Sequence, residues 1–310
     1  MLTEVYPNQE AISEGVPPLA PFVPQDTPPE ATCHFIDLPL TRLHYVKCGQ
    51  GPPLIIVPAT ISEIDNWLPL IQFMGQRFTA HFFELPGHGQ SSPFKSKYTS
   101  ELVAQTVEDL VDALGYDRVN IMGFSFGGIL TMKTVHQLNG RLDRVLLLSP
   151  ATIHQTILFS RKRKFILLAV LKVLSIPLVH KIFTWSLQQK VLSSIVIAFF
   201  RWMGRVEESV PLERRMREIT GTTIEVLTHQ LKEILTMEDE PPAEKFKQPC
   251  YFAMSVIDPL LDFETTLDII NHQFEKVRLE KFYFPYHQPK VLPTYEEYNR
   301  DFSKFIELLE

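Results

Sequence analysis

A serine held between glycines is the first feature of the sequence with an evident chemical use. Residues 123–128 read Gly-Phe-Ser-Phe-Gly-Gly and follow the apolar run 119–122. A Gly-x-Ser-x-Gly motif after a strand predicts a sharp turn into a helix, which lifts the Ser125 hydroxyl above the sheet. We interpret Ser125 as a nucleophile and Phe126 as the donor of one backbone N–H to a developing oxyanion. A tight turn with an incidental serine is the alternative interpretation.

A serine nucleophile needs a histidine base and an acid that orients the base. In a strand–turn–helix site of this kind the chain order is serine, acid, histidine. Asp258 follows the apolar run 250–256, and His287 follows the last such run, 277–285. Because the carboxyl ends of parallel strands meet at one edge of a sheet, both side chains should lie near Ser125. The sequence therefore predicts a triad of Ser125, Asp258 and His287.

Other acids and histidines fit these roles less well. Asp262 is close to Asp258 but suits the N-terminus of the next predicted helix. His88 lies in a predicted loop and is the main competitor for the role of base. Six further histidines fall inside predicted strands or helices and are interpreted as structural or surface imidazoles: His34, His44, His81, His136, His229 and His272.

Strands and helices alternate along most of the chain and could position these residues. A hairpin is predicted over 33–48, followed by strands at 53–58, 78–85, 118–122, 144–150, 250–256 and 277–285. Helices are predicted near 63–73, 99–115, 125–138, 262–274 and 294–309. This alternation predicts an α/β fold with a mostly parallel, twisted sheet and helices on both faces.

The alternation stops between residues 151 and 245, which are helical in character. We predict a core domain formed by 32–150 and 246–310, with 151–245 inserted as a helical cap or lid. Nine basic residues and no acidic ones lie between 151 and 206. In one interpretation the apolar faces of the cap line an acyl pocket and its basic side touches an anionic membrane peripherally. In the other, the cap simply docks on the acidic body.

The composition is typical of an ordinary globular protein. The chain has 310 residues and a net charge of −6, so no overall basic field favours nucleic acid. The proline-rich residues 1–31 lack the features of a signal peptide and predict an extended arm. Cys33, Cys48 and Cys250 have no metal-like spacing, and reduced thiols in a cytoplasmic protein are favoured over a Cys33–Cys48 disulfide. No metal or cofactor is expected.

These motifs together resemble the α/β-hydrolase superfamily, in its branch of single-domain serine hydrolases with a helical cap. The resemblance includes Glu-Leu-Pro-Gly-His-Gly-Gln-Ser-Ser at 84–92, with Glu84 where aspartate is usual. It implies the α/β-hydrolase fold and a structural role for His88. Val-Pro-Ala-Thr at 57–60 stands where the family has His-Gly after the third strand. By position, Thr60 inherits the second oxyanion-hole N–H.

We expect a cofactor-free serine hydrolase, similar to esterases and lipases, that cleaves a small carboxylic ester with an apolar acyl or alkyl part. His287 would deprotonate Ser125, and water activated by the same imidazole would hydrolyse the acyl-enzyme. Carbon–carbon bond hydrolysis, thioester hydrolysis and acyl transfer remain open on the same triad, as does a non-catalytic ligand-binding protein. Dehalogenase and epoxide-hydrolase chemistry would place aspartate at position 125.

Overall fold

A sheet of eight strands forms the centre of the computed structural model, which describes residues 19, 21–60, 62–189, 194–195, 220–289 and 291–310. The strands are β1 (Ala31–Asp37), β2 (Arg42–Cys48), β3 (Pro53–Val57), β4 (Thr79–Phe83), β5 (Val119–Ser125), β6 (Leu142–Pro150), β7 (Cys250–Ser255) and β8 (Val277–Phe282). They lie in the order β1-β2-β4-β3-β5-β6-β7-β8. β2 pairs antiparallel with β1 and β4, and the remaining neighbours are parallel. The predicted mostly parallel sheet is confirmed.

The described helices are α1 (Ile64–Gly75), α2 (Ser100–Ala113), α3 (Gly127–Leu138), α4 (Arg161–Leu174), α5 (Pro177–Gln188), α6 (Gly221–Thr236), α7 (Phe263–Gln273) and α8 (Tyr295–Glu307). Local sequence explains where several of them begin. The hydroxyl of Thr99 accepts the N–H of Leu102 at the start of α2. Thr294 and Glu297 form a capping box at the start of α8.

The sheet is covered on both faces because successive strand residues point to opposite sides. Ile55 and Val57 of β3 pack into the hydrophobic cluster that also holds α2, α3 and α7. Leu54 and Ile56 of the same strand pack into the cluster that holds α1 and α8. An apolar layer therefore packs against each face of the sheet, and the loops that carry the site lie at the carboxyl ends of the strands.

The described part of the predicted cap contains α4, α5 and α6, which lie between β6 and β7 in the chain. Both α4 and α5 pack against α6. Taken singly, none of the described helices has the length and hydropathy needed to cross a membrane; α4 and α5 meet that test only as a pair, and they meet at a bend of 97°. Residues 190–193 and 196–219 of the predicted cap lie outside the described residues.

The predicted N-terminal arm is described at residue 19 and from residue 21 onward. This part lies against α1 and α8. The Arg77 guanidinium donates to the carbonyl oxygen of Pro21 at 3.1 Å, and the Tyr295 hydroxyl donates to that of Gln25 at 3.0 Å. The ring of Phe22 packs edge-on against Phe73. Residues 1–18 and 20 lie outside the described residues.

The three cysteines are unpaired thiols in the structure. Cys33 lies opposite Val46 in the β1–β2 hairpin, whereas Cys48 lies opposite Ala31. The two thiols are therefore two register positions apart, and the alternative of a disulfide across the hairpin is not found.

Candidate active site

Ser125 ends β5, and the turn into α3 holds it in an unusual backbone conformation. Its φ is +50°, and among the described residues only Ser149, at +43°, is another non-glycine with positive φ. Residues with a Cβ adopt this region rarely, so the surrounding structure must hold the strain. A Cβ at Gly127 would lie 2.6 Å from the carbonyl oxygen of Val57. Glycine thus lets α3 begin directly against the end of β3.

Ser125, His287 and Asp258 form one hydrogen-bonded series. Ser125 Oγ lies 2.9 Å from His287 Nε2, and His287 Nδ1 lies 2.7 Å from Asp258 Oδ2. The three residues come from the carboxyl ends of β5, β8 and β7. With the Nδ1 proton directed to the carboxylate, Nε2 can accept the proton of the serine hydroxyl. This is the arrangement that converts a serine into a nucleophile.

Asp258 is held by the backbone as well as by His287. Its side chain is 1% exposed, and its Oδ1 accepts the N–H groups of Leu260 at 2.8 Å and Leu261 at 3.0 Å. Charge-assisted hydrogen bonds of this kind fix a carboxylate in one orientation. The second oxygen is therefore left for the imidazole and fixes its rotation.

The rival residues contact other partners. Asp262 is the N-cap of α7, where its Oδ1 accepts the N–H of Thr265 at 2.9 Å. His88 is buried, and its Nδ1 lies 3.1 Å from Ser62 Oγ. Burial lowers the pKa of His88 to about 4, because the charged imidazole loses its hydration. The imidazole is consequently neutral near pH 7, and it links the loop after β4 to Ser62 in the loop before α1.

Two backbone N–H groups are candidates for the oxyanion hole. Phe126 is the N-cap of α3, where a helix leaves its first N–H groups unpaired. Thr60 and Ala59 line the same cavity as Ser125. Pro58 has no N–H, so on this side of the cavity the donor falls to the residues after it. The role of Thr60 stays a prediction.

Glu84 ties the start of α1 to the end of β4. Its Oε1 accepts the N–H of Ile64 at 3.2 Å, and its Oε2 lies 3.0 Å from His44 Nδ1 and accepts the N–H of Gln90. Glu84 and His44 are both buried. Because Thr60 lies just before α1, this carboxylate positions the loop that carries the predicted donor.

The sequence reasoning missed the parts played by Ser62 and His44. Ser62 Oγ accepts the N–H of Leu85 at 3.0 Å and contacts His88, so it links the two loops at the carboxyl edge. The sequence signal that could have revealed these two residues is the carboxylate of Glu84, in the motif at 84–92. A buried carboxylate requires several hydrogen-bond donors, so polar side chains such as these are expected around it.

An apolar cavity of about 110 Å³ opens beside Ser125. Its walls come from α1, α8, the ends of β5 and β6, and the stretch 282–293, which begins with the last residue of β8. Seven aromatic residues line it: Trp67, Phe124, Phe282, Phe284, Tyr286, Tyr298 and Phe302. None of the described residues of α4, α5 and α6 lines it, which differs from the acyl pocket expected beneath the cap. Most large apolar side chains of α4 and α5 are at least partly exposed instead.

No metal centre is apparent in the described ranges, where no three His, Cys, Asp or Glu side chains are grouped so as to bind an ion. The polar groups at Ser125 are instead a hydroxyl, an imidazole and a carboxylate joined in series. This set supports acid–base and nucleophilic chemistry without ligating an ion.

Comparison with known proteins agrees with this fold. The family described as alpha/beta hydrolase fold matches residues 52–194, which include the turn at Ser125 and the described helices α4 and α5. A hydrolase of this fold family from Bacillus anthracis has 18% sequence identity and a TM-score of 0.65, covering 90% of this chain and 99% of that one. The family match and the fold of the structural neighbours both indicate the α/β-hydrolase superfamily.

Two curated relatives match shorter stretches. A soluble epoxide hydrolase from a Corynebacterium species is 28% identical over 119 residues, or 38% of this chain and 42% of the relative. A pimeloyl-[acyl-carrier protein] methyl ester esterase from Nitrosospira multiformis is 29% identical over 110 residues, or 34% of this chain and 41% of the relative. The chain thus spans less than half the length of these two relatives.

Proposed function

We propose that the chain is a serine hydrolase that cleaves a carboxylic ester with a compact apolar acyl or alkyl part. The observation that carries the proposal is the hydrogen-bonded series from Ser125 Oγ through His287 to Asp258, with distances of 2.9 and 2.7 Å. Triads with these contacts perform acyl transfer in unrelated folds, so the geometry supports the reaction class independently of ancestry.

The proposed reaction has two steps on the same imidazole. His287 Nε2 takes the proton of Ser125 as its oxygen attacks the ester carbonyl, and then returns the proton to the departing alcohol. Water deprotonated by Nε2 next attacks the acyl-enzyme carbonyl. The bond from the acyl group to Ser125 Oγ breaks, the acid is released, and the imidazolium returns its proton to that oxygen. Asp258 holds the imidazole and stabilises its charged form. The N–H groups of Phe126 and Thr60 are the proposed donors to the oxyanion.

The cavity supports the apolar part of the proposed substrate. Its aromatic walls offer few polar partners, so they favour a hydrocarbon or aryl group over a charged one. The curated methyl ester esterase among the relatives is compatible with ester cleavage. The epoxide hydrolase is less informative about the reaction, because that chemistry requires aspartate where this chain has Ser125.

A fluorophosphonate probe tests the nucleophile without knowledge of the substrate. We expect one covalent adduct, mapped to Ser125 by mass spectrometry and absent from Ser125→Ala. Ser149→Ala is the matched control, since Ser149 lines the same cavity and also has positive φ but has no proposed part in catalysis. An adduct on Ser149, or equal labelling of Ser125→Ala, would refute the assignment.

Hydrolysis of an activated aryl ester tests the base. Ser125→Ala and His287→Ala should each lower kcat by at least about 10³, and the double variant should lose no more, because the two side chains act as one unit. Losses that multiply in the double variant would contradict the triad. Parallel assays with a thioester, a carbon–carbon substrate and an alcohol acceptor separate the other reactions of this triad from ester hydrolysis.

A further inference from the structure

The outward sides of α4 and α5 carry apolar side chains where a surface helix normally carries polar ones. Exposed residues recur along both helices at intervals of three and four, so each set occupies one helix face. We call the following residues the apolar stripe: Phe165, Ile166, Val173, Ile176, Leu178, Ile182 and Trp185. Phe165 is 74% exposed, Leu178 68% and Trp185 57%.

The opposite sides of these helices account for their packing against α6. Leu171 of α4 and Leu187 of α5 are buried, and both helices pack against α6. His180 and Thr184 of α5 lie within 4 Å of the position that a Cβ on Gly221 would take. The apolar stripe is thus additional to the faces of α4 and α5 that pack against α6. An apolar face of this extent on a surface is typical of a docking site.

Basic residues share the faces that carry the apolar stripe. Arg161, Lys162 and Lys172 are exposed on α4, and Lys181 is exposed on α5. No Asp or Glu occurs from 151 to 189. A spacing of seven residues, or two turns, puts Lys172 on the face of Phe165, and a spacing of three puts Lys181 on the face of Leu178. The partner is therefore expected to present negative charge next to apolar surface.

We infer that α4 and α5 lie in the interface of an anionic lipid bilayer, with the apolar stripe at the level of the upper acyl chains. The 97° bend and the short length of each helix suit a pair that lies along a surface. Trp185 has an apolar body and a polar N–H, which favour this depth. Lysine side chains can extend from an apolar face to reach lipid phosphates.

A protein partner fits these faces less well. The centres of protein–protein interfaces are depleted of lysine. Around the axis of α4, however, exposed Lys162 lies between Phe165 and Ile166, and exposed Lys172 and Lys181 directly border the apolar stripe. The inference does not depend on the reaction at Ser125, because none of the stripe residues lines the cavity there. It can therefore fail while the proposed function stands, and the reverse also holds.

Vesicle co-sedimentation of the full chain, in a Ser125→Ala background so that lipid hydrolysis cannot interfere, tests the inference. We expect binding to phosphatidylcholine vesicles that contain phosphatidylserine at about 0.05 M salt, with weaker binding at about 0.2 M, as screening increases. Leu178→Ser with Trp185→Ser should lower the partition coefficient at least about tenfold through the loss of apolar contact. Lys172→Gln with Lys181→Gln should reduce the preference for anionic vesicles.

Matched substitutions elsewhere provide the controls. Val23→Ser removes a 76% exposed apolar side chain from the N-terminal segment, and Lys95→Gln with Lys97→Gln removes two exposed charges from the body. Both should bind vesicles like the parent. The circular dichroism spectrum and thermal unfolding temperature of the Leu178→Ser, Trp185→Ser protein should match those of the parent, which shows that it is folded whatever reaction occurs at Ser125.

Three results would overturn the inference. The first is no binding to either kind of vesicle at low salt, and the second is equal binding by the stripe variant and the parent. The third is self-association in sedimentation velocity that is abolished by the stripe substitutions while vesicle binding is absent. That result would assign the apolar stripe to a second copy of the chain.

Discussion

Asp258 and Asp262 lie four residues apart and contact different partners. Asp258 joins His287 to two backbone N–H groups, whereas Asp262 begins α7. Single residues in this site are thus distinguished by the direction of their hydrogen bonds rather than by their chemical type. The same holds for Ser125 and Ser149, of which only Ser125 lies within 3 Å of the His287 imidazole in the described contacts.

Asparagine substitutions separate the two acids. Asp258→Asn should lower kcat on an activated ester by about 10⁴, because the amide favours the wrong imidazole tautomer. Asp262→Asn should leave kcat nearly unchanged, since asparagine also caps helices well. Steady-state kinetics on both purified variants, with thermal unfolding as a check on folding, show which aspartate acts with His287. Severe loss in Asp262→Asn alone would reverse the assignment of the acid.

Substitutions at Thr60 separate its N–H from its hydroxyl. Thr60→Pro removes the N–H and should lower kcat by about 10² to 10³ relative to Thr60→Ala, as expected for one lost oxyanion donor. Thr60→Ala keeps the N–H and should remain close to the wild type. Turnover of an activated ester is the measurement, limited to variants that unfold at the wild-type temperature. Equal damage in both would indicate the hydroxyl, and no effect in either would remove Thr60 from the hole.

At the scale of elements, the site depends on how closely α3 approaches β3. Gly123 and Gly127 flank Ser125, and a Cβ at Gly123 would lie 2.1 Å from Thr131 Oγ1. Ser125, the proposed nucleophile, lies just before α3, and Thr60, the predicted donor, follows β3. Both therefore depend on two elements that are packed together without space for a methyl group. A small shift of α3 would therefore change the positions of Ser125 and Thr60 together.

Two glycine-to-alanine variants test this packing. Gly127→Ala should lower the free energy of unfolding by about 1–3 kcal/mol and also lower kcat, because the added methyl group meets the Val57 carbonyl. Gly140→Ala is the matched control, with no atom within 4 Å of the new Cβ. It should be neutral or slightly stabilising. Urea unfolding and ester kinetics give both quantities. Wild-type kcat in Gly127→Ala would show that the α3–β3 contact does not control the site.

Most elements could be predicted from local sequence. The buried apolar face of α2 and its Thr99 cap are contained within a few turns of helix. The predicted span 99–115 therefore closely matches Ser100–Ala113. β8 ends earlier than the predicted residue 285, because β7 stops at Ser255 and its last paired partner is Phe282. Strand length is thus set partly by the neighbouring strand, which a local pattern does not contain.

The cavity could not be predicted in the same way. Trp67 comes from α1 and Phe302 from α8, and their meeting depends on both helices covering the same face of the sheet. Ser125, Asp258 and His287 could be predicted as site residues from the sequence because each follows a recognisable strand pattern. The position of the apolar walls instead depends on how aromatic side chains from distant segments pack, and hydrophobic periodicity does not specify that.

At the scale of the whole molecule, buried imidazoles link stability to pH. Burial lowers the pKa of His81 to about 4, assisted by the positive charge of Lys47, and burial also lowers that of His88 to about 4. Between pH 4 and 6.5 the unfolded chain binds protons that the folded chain does not. The free energy of unfolding should therefore fall as the pH drops through this window and be constant above it with respect to these two groups.

Replacement of His81 measures one of these contributions. Near pH 5 each histidine should reduce stability by about 2 kcal/mol relative to pH 7, so His81→Phe should shrink the difference by about that amount. Tyr116→Phe is the control, because it removes the hydrogen bond to His81 Nε2 but keeps the titrating ring. Urea unfolding at both pH values is the measurement. An undiminished difference in His81→Phe would show that burial of this ring is not the cause.

The placement of β8 predicts a state that lacks the proposed hydrolysis and is still largely folded. β8 is an edge strand of the described sheet, and of its six residues only Phe282 is buried, yet the segment after it carries His287. Regions with few buried contacts open at a lower free energy than the whole domain. Transient detachment of this edge would remove His287, the proposed base, while Ser125 stays on its turn. Hydrolysis should therefore disappear at urea concentrations that leave the far-ultraviolet circular dichroism intact, and should return on dilution as fast as one strand can pair again.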